Sequence, residues 1–128
     1  MQYYVSKTIQ GEFKSMVDKV TELLAEEGFG IQSLIDVTKT LKDKLDVEFK
    51  NYVILGACNP HLALRAFQAE DKIGTLMPCN VIVIDQGEGA IEIAAMDPNV
   101  LMSQIGNPEL NVLALEASKR LNRVLSKM

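Results

Sequence analysis

The segment VIVIDQGEGAIEIA, residues 81–94, decides the fold because it predicts an antiparallel β-hairpin. Two runs rich in β-branched residues, Val81–Ile84 and Ala90–Ala94, flank a short loop, Asp85–Gly89, that contains glycine. In the second run, Ile91-Glu92-Ile93 alternates between apolar and polar side chains, so one face of the sheet is expected to meet water. The hairpin favours a mainly antiparallel sheet. A doubly wound parallel fold fits less well, because its glycine-rich strand-to-helix turn is missing.

Outward from the hairpin, three other segments are predicted to be strands: Tyr3–Thr8, Phe29–Ile35 and the continuous apolar run Tyr52–Ala57. Gly56, inside the last run, indicates a bend or the close approach of another backbone. We therefore expect an α+β domain with a single sheet of about five strands, covered by helices on one face.

The helices are predicted from apolar spacing and from their ends. Apolar residues from Phe13 to Leu24 recur every three or four positions and are followed by Gly28, and Asp36 is placed to cap a short helix. Asn59-Pro60, Asp97-Pro98 and Asn107-Pro108 each combine a capping side chain with a proline in the first turn. The helix after Asn59 is expected to bury Leu62, Ala63, Ala66 and Phe67, and the last helix Leu110, Leu113, Ala114, Ala117, Leu121, Val124 and Leu125.

Size, charge and cysteine content limit the class of protein. The chain has 128 residues and is expected to form one domain, residues 1–128. Its net charge is −4 and its basic residues are scattered, so nucleic acid is not an expected partner. No apolar run reaches the ~20 residues of a membrane span, and the N-terminus has no signal-peptide pattern, which together predict a cytoplasmic protein. The two cysteines are then expected to be thiols or ligands.

The main chemical cluster is Cys58-Asn59-Pro60-His61. Its thiol lies at the exit of a buried strand and directly before a capped helix, whose first amides and dipole would stabilise a thiolate or a bound anion. The alternative is structural: Cys58 would be a small apolar side chain in a tight corner, and Asn59-Pro60 simply a good cap.

A second cysteine lies in Pro78-Cys79-Asn80. If the strands that flank the two cysteines are antiparallel neighbours, Cys58 and Cys79 share one end of the sheet. If the strands are parallel, the thiols are roughly 20 Å apart. The hairpin favours the antiparallel case. Cys58, His61 and Cys79 could then bind a zinc-like divalent metal. The position of His61 in the first turn of a helix favours a solvated side chain instead, and a reversible disulfide is a further alternative.

Two motifs carry a family resemblance. With YVILGACNPHLA at residues 52–63 and GTLMPCNV at residues 74–81, the chain resembles the domain of unknown function 302 family over essentially its whole length. Met77 stands where leucine is usual. The resemblance implies an α+β domain with a layout similar to the TATA-binding-protein-like fold, and a homodimer, but no established activity. The family's characteristic residues correspond here to Cys58, Asn59, Pro60, Pro78, Cys79 and Asn80.

Three functional hypotheses follow. The first is a binding domain whose Cys/His cluster, with ligand-binding residues Cys58, Asn59, Pro60, His61, Pro78, Cys79 and Asn80, holds a metal ion or a small anionic or sulfur-bearing ligand. The second is a thiol enzyme that handles sulfur or redox equivalents, with Cys58 as nucleophile and Cys79 as the resolving thiol. The third is a domain that works by self-association or partner binding through Met and aliphatic residues on an uncovered sheet face.

Overall fold

The chain folds around one antiparallel sheet of five strands. The computed structural model describes residues 2–128. The strands are β1 (Tyr4–Gln10), β2 (Gly30–Asp36), β3 (Tyr52–Cys58), β4 (Cys79–Asp85) and β5 (Ala90–Met96). Their order across the sheet is β1-β5-β4-β3-β2, and every neighbouring pair is antiparallel. The predicted α+β fold and the predicted β4–β5 hairpin are therefore confirmed.

The helices begin where the capping residues predict. They are α1 (Phe13–Glu26), α2 (Val37–Leu45), α3 (Pro60–Ala69), α4 (Pro98–Ser103) and α5 (Pro108–Ser126), with a 3-10 helix at Asp71–Leu76. The side chains of Asp36, Asn59, Asp97 and Asn107 each accept a hydrogen bond from a backbone amide in the first turn. Gly28, with a φ of 85°, takes the left-handed conformation after α1.

The core lies between one face of the sheet and helices α1 and α5. Val20 and Leu24 of α1 are fully buried against inward strand residues such as Val83 and Ile93. All seven positions predicted to be buried on the last helix are buried. The prediction for Phe67 is wrong, because this ring lies on the outer side of α3 and is 46% exposed. Leu62 is only partly buried.

The opposite face of the sheet is not covered by helices of the described chain. The register places Ile54, Ile82 and Glu92 on this face, since their neighbours along each strand point into the core. A groove of about 400 Å³ crosses it, lined among others by Tyr4 and Met96. Within residues 2–128 no helix has the length and apolar character needed to cross a membrane.

Candidate functional site

The strand register brings the two cysteines to one rim of the sheet. Strands β3 and β4 are antiparallel neighbours, and Ala57 of β3 is paired directly with Cys79 of β4. Cys58, the last residue of β3, therefore lies next to Pro78, which directly precedes Cys79. The antiparallel alternative predicted from the sequence is correct, and the separation of the thiols by a strand length is excluded. Both cysteines are free thiols.

The pleat of the sheet places Cys79 on the face that the helices cover. Side chains alternate between the faces of a strand, and residues directly paired across two strands share a face. Cys79 therefore points with the buried Ala57 toward the helices. Cys58 lies one position further at the end of β3, and its charge contributes to the electrostatics of Cys79, so the two thiols are neighbours at this rim.

A small cavity lies between this rim and the helix layer. Its volume is about 60 Å³, and its wall is almost entirely apolar. The residues that carry polar groups into the wall are Cys58, Asn59 and Cys79. The apolar part of the wall comes from β3, from the segments that lead into β2 and β4, and from the helices above them, and includes Phe29, Leu62, Met77, Met102, Leu113 and Ala114.

Burial controls the chemistry of Cys79. Desolvation, with a smaller contribution from the charge of Cys58, raises the pKa of the Cys79 thiol to about 11. At neutral pH this side chain is a protonated, weakly polar thiol. The thiolate is the form that attacks electrophiles and binds metals, so Cys79 is poorly suited to either task at pH 7.

Asn59 connects three helices. Its Oδ1 accepts a hydrogen bond from the Leu62 N–H at 3.2 Å, which caps α3, and its Nδ2 donates to the Glu27 carbonyl at the end of α1 at 3.4 Å. Arg120 of α5 donates to the same carbonyl at 2.9 Å. The side chain of Asn59 is 5% exposed. Because its own oxygen occupies the first-turn amide of Leu62, the cap is a structural one, as in the structural alternative predicted for Asn59-Pro60.

Gly56 packs closely against Pro78, and the contact leaves no room for a side chain at position 56. A Cβ atom at Gly56 would overlap the Ser33 side-chain oxygen and would lie 2.8 Å from Pro78 Cγ. The close approach predicted at Gly56 is therefore made by two side chains rather than by a backbone. A bulge between Ile31 and Ser33 in β2 is what turns Ser33 onto Gly56. Gly56 and Pro78, one from each motif, thus contact each other on the uncovered face of the sheet.

The predicted ligand-binding residues fall into two groups. Cys58, Asn59 and Cys79 line the cavity. Pro60 is an exposed first-turn residue of α3, and Asn80 is exposed beside the groove on the uncovered face, while Pro78 packs over Gly56.

His61 also lies away from the thiol rim. It is exposed in the first turn of α3 and lines a groove between α3 and α5, not the cavity that holds the thiols. Among residues 2–128 there is no group of three or more His, Cys, Asp and Glu side chains that could hold a metal ion. The structure does not assemble the zinc-like site predicted from Cys58, His61 and Cys79, because the helix start turns His61 outward while Cys79 points under the helices.

Sequence reasoning missed most of the cavity wall. Ala114 was expected only as part of the apolar face of the last helix, and neither Met77 nor Met102 was predicted to line a cavity. Apolar spacing predicts which residues turn inward. It carries no signal for whether the space between them is filled, because that depends on how the helices pack together.

The chain resembles proteins for which no activity is named. The family model described as "Domain of unknown function DUF302" matches residues 5–128. A solved structure, described as the crystal structure of an uncharacterized conserved protein DUF302 from Bacillus stearothermophilus, superimposes with a TM-score of 0.90 at 27% sequence identity. That match covers 99% of this chain and 98% of the other. No curated protein matches the sequence.

Proposed function

The chain belongs to the DUF302 family, and from that premise we propose that it is a binding domain for a small apolar or sulfur-bearing group, held in the cavity at the thiol rim. The observation that carries the proposal is the cavity itself. Protein interiors are packed as densely as organic crystals, and voids larger than a water molecule are few. Here the void adjoins two residues of the motifs that carry the family resemblance, Cys58 and Cys79.

The energetics favour a neutral occupant. Empty cavity volume costs roughly 24 cal/mol per Å³, so a void of about 60 Å³ costs about 1.4 kcal/mol that a ligand recovers. An engineered apolar cavity of roughly 150 Å³ accepts benzene. The present volume is well under half of that and suits the end of a ligand, such as a methylthio or short alkyl group. A charged group would lose its hydration against the apolar wall, which argues against an anion here.

Cys79 supplies the polar contact. A protonated thiol is a weak hydrogen-bond donor and a polarizable neighbour for sulfur. Met77 and Met102 also line the cavity, and their flexible thioethers can adapt to the shape of a small guest. This environment supports a sulfur-bearing ligand more than a purely aliphatic one.

Solution NMR with dimethyl sulfide tests the proposal. In the wild-type protein, amide shifts should saturate and should centre on residues around the cavity. Ala114→Val fills the cavity and should abolish these shifts while leaving the protein folded. Asn111→Val is the matched control, since it places the same side chain on the exposed side of α5. Absence of saturable shifts in the wild type, or equal shifts in both variants, would remove the proposal.

The thiol-enzyme alternative has less support. A resolving thiol must act as a thiolate, whereas burial raises the pKa of Cys79 to about 11 and keeps this thiol protonated at neutral pH. Alkylation by iodoacetamide as a function of pH separates the two functions. An enzyme of this kind requires a thiol that reacts well below the pH range of free cysteine, which the binding proposal does not.

We also propose that two copies of the chain associate through the uncovered sheet face. The resemblance to the family implies a homodimer, and the uncovered face carries exposed apolar side chains, including Tyr4 and Ile35. Light scattering during size-exclusion chromatography should then give a dimer for the wild type and a monomer for Ile35→Lys. The control Val112→Lys, on the helical side, should remain dimeric. A monomeric wild type, or a dimer that Ile35→Lys leaves intact, would contradict this interface.

A further inference from the structure

The outer side of the helix layer carries a second concavity, a groove of about 480 Å³ between α3 and α5. Leu62 and Leu113 separate it from the thiol cavity, since both residues line both spaces. Pockets that hold small molecules commonly enclose roughly 300–1,000 Å³. The groove is therefore large enough for a whole small molecule, whereas the thiol cavity is not.

Positive charge dominates this groove. Arg65 of α3 and Arg120 and Lys119 of α5 line it, with Glu116 as the one acidic residue. Arg120 Nε donates to Glu116 Oε1 at 2.9 Å, which balances one positive charge with the one negative charge. In the part of the chain that the structure describes, neither Arg65 nor Lys119 forms an ion pair.

The local charge is opposite in sign to that of the whole chain. The chain has 17 acidic and 13 basic residues, so a scattered arrangement would on average give a groove a neutral or slightly negative charge. The hydrogen bond from Arg120 also holds the pKa of Glu116 below its usual value, and this carboxylate stays ionised and paired. The guanidinium group of Arg65 and the ammonium group of Lys119 are thus left available to a ligand.

The wall of the groove also has an apolar part. Val112 is 62% exposed and Leu115 is 49% exposed. The two residues are three positions apart on α5, so their side chains lie side by side on one face of the helix. Exposed apolar area next to unpaired cations matches a ligand that combines a hydrocarbon part with a negative head.

We propose that the groove binds a small organic anion, with its carboxylate or phosphate group between Arg65 and Lys119 and a short hydrocarbon chain against Val112 and Leu115. Arg65 can form two parallel hydrogen bonds to such a group, while Lys119 contributes a point charge. This site is separate from the proposed thiol-rim function and does not depend on it.

NMR titration of the full chain with three probes tests the site: butyl phosphate, butyrate and inorganic phosphate. Butyl phosphate should give saturable shifts in the first two turns of α3 and the middle of α5, and should bind several-fold more tightly than inorganic phosphate. The comparison with butyrate identifies the preferred head group. Arg65→Gln and Lys119→Gln should each weaken butyl phosphate binding about tenfold. Lys14→Gln, an exposed lysine on α1, should leave it unchanged.

A second variant separates head-group binding from chain binding. Val112→Ser should weaken butyl phosphate and leave inorganic phosphate unchanged, which a general loss of structure would not do. Absence of saturable shifts with butyl phosphate and with butyrate would overturn the proposal. So would shifts that Arg65→Gln and Lys119→Gln leave intact. Equal affinity for butyl phosphate and inorganic phosphate would overturn the assignment of an organic ligand.

Discussion

Replacement of Asn59 separates its two structural roles. In Asn59→Ala, α3 loses its side-chain cap, which costs about 1 kcal/mol. The Glu27 carbonyl also loses the hydrogen bond from Asn59 Nδ2, and because Arg120 still donates to this oxygen, the further cost is about 0.5–1 kcal/mol. The free energy of unfolding should therefore fall by about 2 kcal/mol.

Two further variants show how much of this loss comes from the helix cap and how much from the hydrogen bond to the Glu27 carbonyl. Asn59→Ser keeps an oxygen that can cap the helix but has no amide to reach Glu27, so it should cost only about 0.5–1 kcal/mol. Asp97→Ala is the matched control, because Asp97 caps α4 through the Asn99 amide without an amide donor of its own. It should cost about 1 kcal/mol.

Urea unfolding followed by circular dichroism measures these differences. With an m-value of about 2 kcal/mol per molar, the midpoint for Asn59→Ala should move by about 1 M, while the m-value itself should not change. The claim that Asn59 has two stabilising roles would be contradicted if Asn59→Ala cost no more than Asp97→Ala and Asn59→Ser unfolded like the wild type. In that case the connection from Asn59 to the end of α1 would contribute nothing.

Other consequences concern the thiol rim and the sheet. The pKa of Cys79 is raised from 9.0 to about 11, so the folded state binds this proton more tightly than the unfolded chain, and stability should fall as pH rises through that window. The stability advantage of wild type over Cys79→Ala should shrink by about 2–3 kcal/mol between pH ~8 and pH ~11 in urea unfolding; a constant difference would contradict the burial of the thiol. Gly56→Ala should cost about 2 kcal/mol through its contacts with Ser33 and Pro78, and Ser33→Ala should recover part of that cost. A purely additive double variant would argue against this contact.

Local signals in the sequence were sufficient for most of the fold. The β4–β5 hairpin depends on two β-branched runs and a short glycine-bearing loop, and the starts of α3, α4 and α5 depend on an adjacent Asn or Asp and a proline. Such features act over a few residues, so they can be read without knowledge of the tertiary structure. The shared rim of Cys58 and Cys79 followed from the antiparallel sheet.

The remaining features depend on how the elements pack. The exposure of Phe67 and the outward position of His61 are set by how α3 sits against α5, which apolar spacing on α3 alone does not define. The bulge between Ile31 and Ser33 follows from pairing with β3. The thiol cavity exists because the helices above Cys79 leave space, and the residue types in the sequence do not indicate where such space remains.

The most direct test of the central claim is a diffraction experiment on crystals of the protein soaked in dimethyl sulfide, with anomalous scattering used to locate sulfur. An additional sulfur peak is expected inside the cavity, between Cys79, Met102 and Ala114. A cavity that holds no such peak, while the soaked compound is found elsewhere or not at all, would contradict the claim that this space is a binding site.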